Sequence, residues 1–277
     1  MKFPGFQLSE KIHQGPSCQV WKGFNFQHEY PVALKIFQPA HVPESELPYW
    51  EELFSNEADI LCRLNHSGII RFFQTIHAYT GESAIVMEWS DGRPMTALTK
   101  LTEEQAGAVA VKVLAALAYL QKPFNIGDRH FTTVSHGDIK PSNILIAEDG
   151  VRLLDFGFSC PPDLDVQGVL GTPYYCRPGR MNGVPPSWRD DAYALALTLV
   201  EACGQEPETP KDLANLGPIF KVFSDLQSST PPSPVNAIRR IEEILGRESY
   251  GPIITALSKS PMRDIQEQKT TTLEAVS

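Results

Sequence analysis

Nothing in this 277-residue chain approaches the run of about 20 apolar residues that a membrane-spanning helix requires. The opening stretch MKFPGFQLSEKIHQ also lacks the apolar core of a secretory leader. No C-x-x-C pair occurs, and the five cysteines (Cys18, Cys62, Cys160, Cys176 and Cys203) are odd in number, which argues against a disulfide framework. Reduced thiols in a cytoplasmic protein are the expectation, with Cys18 and Cys160 acting as small apolar fillers. Positive charge is scarce: 24 Lys and Arg stand against 33 Asp and Glu, a formal net charge of -9. That balance excludes a generic nucleic-acid surface and favours a basic partner over an acidic one. Internal repeats and low-complexity segments are absent too. What remains is a soluble globular composition, 42% hydrophobic and 21% charged, long enough for two lobes or one large domain.

The two halves differ in texture. Residues 18–26, CQVWKGFNF, and 30–37, YPVALKIF, alternate around a short polar turn and predict a hairpin. IIRFFQTIHAY and ESAIVMEW predict a second hairpin around Thr80-Gly81. Between them, YWEELFSNEADILCRLN carries Leu53, Glu57, Ile60, Leu61 and Leu64 at helical spacing. After SDGRP the pattern becomes helical. Thr102 followed by Gln105 is a capping-box signature, opening a helix with Ala106, Val109, Val113, Leu117 and Leu120 on one face. DDAYALALTLVEACG is apolar nearly all round and ends on Gly204, which predicts a buried helix. Ser233-Pro234 suits the start of the helix VNAIRRIEEILG, and the polar stretch 264–277 is expected to fray.

Residues 134–157, VSHGDIKPSNILIAEDGVRLLDFG, hold three aspartates in unusual company. The stretch alternates on both sides of Asp149-Gly150, a two-residue hairpin signal that explains Asp149 as turn chemistry. Such a hairpin brings its ends together, so Asn143 and Asp155 can share one divalent cation while Asp138 waits on the feeding loop. Oxygen ligands beside a separate carboxylate suit Mg²⁺ with a nearby base. Singly, Asp138 could cap a turn and Asp155 could end a strand; the set is poorly explained that way.

Two further charges stand in apolar surroundings. Alternation in PVALKIF puts Ala33, Lys35 and Phe37 on one face and Val32, Leu34 and Ile36 on the other. Leu53, Leu61 and Leu64 flank Glu57 along its helix, so its carboxylate points along the apolar face. A buried acid and a buried base on adjacent elements most simply pair with each other, since neither is tolerated alone.

HGDIKPSNIL followed by LLDFG resembles the catalytic loop and metal-binding motif of eukaryotic-type serine/threonine protein kinases, and the motifs follow that family's order from about residue 9 to 263. The resemblance implies an α+β, bilobal protein kinase-like fold. Its small antiparallel-sheet lobe with one helix would span about residues 1–90, and the larger, mainly helical lobe about 91–263. It implies ATP and Mg²⁺ or Mn²⁺ as cofactors and a protein substrate. On that match Asp138 would accept or orient the substrate hydroxyl, Lys140 would sit on the transferring phosphate, and Asn143 and Asp155 would hold the metals. Lys35, paired with Glu57, would contact the α- and β-phosphates, and Phe156 would pack under the helix carrying Glu57. Thr172, in GTPYYCRPG, would bond near Asp138 and Lys140, as expected for serine/threonine specificity, and Asp191 would support the catalytic-loop backbone. Met87 would guard the back of the adenine pocket, with Glu88, Trp89 and Ser90 as the hinge and Val20, Ala33 and Leu145 touching the base.

Three departures accompany the likeness. HQGPSC keeps only Gly15 of the family's phosphate-loop glycines, with His13 and Cys18 at the outer positions, which predicts weak ATP affinity or slow turnover. HGD has Gly137 where many relatives have an arginine that binds a phosphorylated activation loop, and the segment FSCPPDLDVQGVLG offers Ser159 but no threonine. Activity without loop phosphorylation is therefore expected. Gly179 replaces a glutamate that would pair with a later arginine, here Arg263. Asp163, Asp165, Glu206, Glu208 and Asp212 hint at a basic substrate, although a solvated acidic face explains that charge run better. An active kinase leads. A nucleotide-binding scaffold is the alternative, and a small-molecule kinase of the aminoglycoside type is disfavoured by Lys140, the DFG and GTPYY.

Overall fold

A computed structural model describes residues 2–126, 129–131, 133–160, 171–180, 184–206, 210–246 and 250–262. The N-terminal part is built from β1 (Phe6–Gln14), β2 (Cys18–Asn25), β3 (Tyr30–Phe37), α1 (Leu47–Leu61), β4 (Phe72–His77) and β5 (Ser83–Glu88). The strands form one antiparallel sheet in the order β1-β2-β3-β5-β4. Both expected hairpins are present. The period-2 alternation of β3 divides it between two cores: Val32, Leu34 and Ile36 join Phe3, Ala84 and Val86 on one face, while Phe37 and Ala33 face the main core.

The helix expected over residues 49–65 is α1, with one correction to its buried face. Phe54, Glu57, Ile60 and Leu61 are the buried residues, and Leu53 and Leu64 are only half-buried. The helix ends at Leu61, so Leu64 lies in the turn beyond it, and Phe54 takes the buried place expected of Leu53 while Glu57, Ile60 and Leu61 keep theirs.

The remainder runs β6 (Arg93–Pro94), α2 (Glu103–Leu120), β7 (Phe124–Ile126), β8 (Arg129–Phe131), β9 (Ile144–Ala147), β10 (Gly150–Leu153), α3 (Trp188–Ala202), α4 (Pro210–Ala214), α5 (Pro218–Leu226), α6 (Pro234–Leu245) and α7 (Tyr250–Ser258). The Thr102 capping box is formed, with its hydroxyl accepting from Gln105 N and the Gln105 side chain returning to Thr102 N. Ser233 caps α6 through Asn236 N, and α3 closes on Cys203 and Gly204, the latter at φ +60°. The small β7–β8 hairpin has no counterpart in the expectations; three-residue strands are too short to show alternation.

The β9–β10 hairpin is where the sequence placed it, offset by one residue. Ala147 pairs with Gly150, so the two-residue loop is Glu148-Asp149 and Gly150 opens the second strand. Asp149 is anchored there by a bidentate pair with Arg152, at 2.8 and 2.6 Å. The main core runs continuously from Phe37, Ile85 and Met87 of the sheet to α2, α3, α5, α6 and α7, joining the two parts. This is the α+β architecture expected, a small antiparallel sheet with one helix preceding a mainly helical part. No helix among the described residues is long and apolar enough to cross a membrane. Asp163, Asp165, Glu208, Arg263 and the stretch 264–277 lie outside the described residues.

Candidate active site

The buried acid and base find each other. Lys35 on β3 has Val20 and Ile85 as its cross-strand neighbours, and α1 carries Glu57 over the same face. Lys35 Nζ lies 2.5 Å from Glu57 Oε2, and Glu57 is 1% exposed. The structure adds a partner the sequence had placed only with the metal: Asp155 Oδ1 is 2.8 Å from the same ammonium. Burial alone would push the lysine down, yet the charges of Asp155 and Glu57 overcome it and hold the group above its ordinary value. Burial likewise works to raise Asp155, but the Lys35 charge and hydrogen bond bring it down to about 2. Glu57 Oε1 also accepts from Phe156 N at 3.3 Å, and the Phe156 ring is fully buried. Removing Lys35 would leave the buried Glu57 carboxylate without its counter-charge, at about 3–5 kcal/mol.

A second cluster forms around Asp138. Its Oδ2 takes Lys140 Nζ at 2.8 Å and Asn143 Nδ2 at 3.1 Å, and its Oδ1 accepts from Thr172 N at 2.8 Å. Lys140 also donates to Thr172 Oγ1 at 2.7 Å, so Asp138, Lys140, Asn143 and Thr172 close into one network. Asp191 holds the loop from beneath, accepting from His136 N and Gly137 N at 2.9 Å each. Burial pushes its carboxyl up to about 7 despite those two donors.

His136, to which the motif alone assigns no role, ties the loop to its surroundings through both ring nitrogens. Its Nδ1 faces Asp138 N at 3.2 Å and its Nε2 faces Leu154 O at 3.0 Å. An amide N–H only donates and a carbonyl only accepts, so the ring is neutral with its proton on Nε2. Burial lowers its pKa in the same sense. The ring packs 4.7 Å from Phe156, tying the catalytic loop to the DFG turn.

The donor set for a divalent cation can be tested on these residues. Leu154 N donates to Asn143 O at 2.9 Å, so Asn143 stands beside the residue preceding Asp155. With Asn143 Nδ2 occupied by Asp138, its amide oxygen is turned away from that carboxylate. Asp155, at φ +59°, is ionised and its side chain is 41% exposed. One amide oxygen and one ionised carboxylate fit a hard cation such as Mg²⁺, which takes few protein ligands and fills the rest with phosphate and water. No group of three or more His, Cys, Asp or Glu residues suited to a metal occurs among the described residues.

The residues expected to surround the base are placed mainly by the sheet register. Val20 opposes Lys35, and Ala33 opposes Met87, which puts all four on the sheet face that carries Lys35 to Glu57 and Asp155, the cleft face where ATP is expected. Leu145 lies on β9 against Gly92. Of the hinge residues, Glu88 spends its side chain on Arg71 N and Arg152, at 3.1 Å each, Trp89 bonds Asp91, and Ser90 follows in the linker. The turn after β1 is tight: Gly15 N donates to Cys18 O at 2.8 Å, so that amide is used inside the turn. Burial pushes the Cys18 thiol up to about 11 and that of Cys160 to about 12, which leaves both unreactive.

The segment after DFG is held by contacts that sequence reasoning did not find. Ser159 is 1% exposed, its hydroxyl donates to His136 O at 3.0 Å, and its carbonyl accepts from Asn56 at 2.8 Å. Cys160 and Ser135 exchange two backbone hydrogen bonds. Gly137 and Gly171 sit at φ +82° and +104°, and a Cβ on Gly171 would come 2.5 Å from Gly137 O. Further on, Arg177 lies 3.4 Å from Asp190 and Tyr175 donates to Glu201 at 2.7 Å. These ties fasten the segment where Gly179 cannot.

A family model described as the protein kinase domain matches residues 6–245. A probable serine/threonine-protein kinase of Dictyostelium discoideum is 29% identical over 85% of this chain and 46% of its own length. The serine/threonine-protein kinase dst2 of the same organism is 31% identical over 92% of this chain and 21% of its own length. Serine/threonine-protein kinase pak-2 of Caenorhabditis elegans is 34% identical over 56% and 29%. The chain thus spans less than half the length of each of these relatives.

Proposed function

The chain belongs to the protein kinase family, and from that membership we propose that it transfers the γ-phosphate of ATP to serine or threonine hydroxyls of a protein substrate. The observation that carries this reading is the pair of assembled clusters: Lys35 between Glu57 and Asp155, and Asp138 among Lys140, Asn143 and Thr172. Phosphoryl transfer needs positioning and charge stabilisation more than covalent chemistry, and both clusters supply these. Asp138 orients the attacking hydroxyl and receives its proton. Lys140 faces the transferring phosphate. Lys35, kept charged by its two carboxylates, faces the other phosphates. Asn143 and Asp155 would hold Mg²⁺ or Mn²⁺, which when bound neutralises charge on the phosphate oxygens. Met87, Val20, Ala33 and Leu145 would surround the base, beside the Glu88–Ser90 hinge. The kinase domain takes in residues 1–263, in a cytoplasmic protein.

Loop phosphorylation is dispensable on this reading. Ser159 is buried and hydrogen-bonded, and Gly137 offers no cation to receive a phosphate. A basic substrate fits the receiving segment. Glu201 and Glu206 lie close enough to Tyr174 for their charges to act on its phenol, which places two carboxylates beside the segment where the substrate would dock. The alternative of a nucleotide-binding scaffold is favoured by one observation, the Gly15 amide turned into its own loop.

The test is transfer of labelled γ-phosphate from ATP and Mg²⁺ to the protein and to a basic protein substrate, with the labelled residue type assigned. Wild type is compared with folded Asp138→Asn and Asp155→Asn. Label on serine or threonine, lost in both variants, is the expected result. Binding of ATP without transfer would support the scaffold instead.

A further inference from the structure

We propose that Lys22 is a positioning residue for the base-binding segment, clamping Trp89–Asp91 to β2; the proposal rests on reading the cleft as an ATP site. Lys22 opposes Ala33 in the β2–β3 register, so it lies on the cleft face, two residues nearer the hinge than Val20. Its Nζ lies 4.3 Å from the centroid of the Trp89 ring and 3.8 Å from Asp91 Oδ1. Trp89 Nε1 donates to the same carboxylate oxygen at 2.6 Å. The ring is therefore held on its face by a cation and at its edge by a carboxylate, and the two charges attract each other. A cation over the ring alone would leave the indole free to turn about the contact.

One residue further on, the chain changes allegiance. A Cβ on Gly92 would come 2.8 Å from Leu145 Cγ and 3.0 Å from Ile146 O, so its backbone lies directly on β9. Arg93 pairs with Ile146, and its guanidinium donates to Ser260 O. Residues 89–91 are thus fastened to the small sheet and residues 92–94 to the helical part. The boundary falls at the Asp91–Gly92 peptide.

Without the Lys22 clamp, the segment that lines the base site would have to be ordered by the ligand on binding. That cost enters affinity and leaves the phosphate chemistry untouched, because among the described residues the hydrogen bonds and ion pairs of the clamp are separate from those around Asp138 and Lys35. Lys22→Met and Lys22→Arg test this, with the dissociation constants of adenosine and ATP, the transfer kinetics, and the tryptophan emission measured with and without Trp89→Phe. Lys22→Met is expected to weaken adenosine and ATP alike by about fivefold, the size of an exposed cation–π contact and ion pair together. KM for ATP rises by that factor with kcat unchanged, and the emission changes only where Trp89 is present. Lys22→Arg keeps wild-type values, since a guanidinium also stacks on an indole. Weakening of ATP with adenosine unaffected would make Lys22 a phosphate contact and overturn the proposal. Unchanged affinities with unchanged emission would overturn it as well. Were the wild-type protein to bind no adenosine, the ATP reading would fail separately, and the Trp89-dependent emission change would still decide whether the clamp exists.

Discussion

Replacing Gly137 by alanine should cost far more than its one added methyl group suggests. The residue sits at φ +82°, and a Cβ there would come 2.3 Å from Phe158 O and 3.1 Å from Phe158 C. The left-handed backbone alone costs an L-residue about 1–2 kcal/mol. The clash is with backbone, which cannot swing aside as a side chain can, and overpacking of this kind adds about 1–3 kcal/mol. Together they give a loss of about 3 kcal/mol, or a fall in Tm of about 6 °C or more. Gly179 supplies the control: it has φ +75°, but a Cβ there would meet nothing within 4 Å. Gly179→Ala should therefore show the backbone cost by itself. Thermal unfolding of the two variants beside wild type separates backbone strain from contact, and phosphate transfer reports the catalytic loop. Gly137→Ala is expected to be at least twice as destabilising as Gly179→Ala and to lose transfer. Equal destabilisation of the two would refute the close approach of the catalytic loop to Phe158.

Glu57→Gln should lower kcat/KM by about a hundredfold or more, because Lys35 loses the α1 carboxylate that fixes its position and is left to Asp155 alone; steady-state kinetics with a check on folding would show it. Asp191 sets a pH dependence. Its folded value of about 7 lies above the ordinary 3.8, so between those values the folded protein holds a proton that the unfolded chain has lost. Stability should fall as pH rises from about 4 to 7 and level off above, and Asp191→Asn should lack that fall in urea unfolding across the range. Ser159→Ala should lose about 1 kcal/mol, from its hydrogen bond to His136 O, while keeping phosphate transfer. Mass spectrometry of active wild-type protein should find Ser159 unmodified, since its hydroxyl is buried.

Much of the site was legible because burial and charge conflict visibly in a sequence. Lys35 in an alternating strand and Glu57 on an apolar helix face each demanded a partner, and they have each other. Asp138, Asn143 and Asp155 were legible through a hairpin that brings its ends together. The sequence missed what depends on side chains meeting across the fold. Arg177 with Asp190 and Tyr175 with Glu201 look like ordinary surface polar residues until α3 is packed beneath them. His136 reads as one letter of a motif, yet its two ring nitrogens join Asp138 to Leu154. The errors in register were single residues: Phe54 takes the buried place assigned to Leu53, and the hairpin loop is Glu148-Asp149. Periodicity identifies a face or a turn, while the exact residue is decided by packing and by pairs such as Asp149 with Arg152.

The central claim is that these clusters form a transfer site that is complete without phosphate on the loop. The measurement that tests it most directly is the time course of γ-phosphate transfer by phosphatase-treated protein, shown by mass to be unphosphorylated, with ATP, Mg²⁺ and a basic protein substrate. Transfer that is linear from the first time point, and absent in folded Asp138→Asn, is the predicted result. A lag that ends as the protein phosphorylates itself, or ATP binding without any transfer, would contradict it.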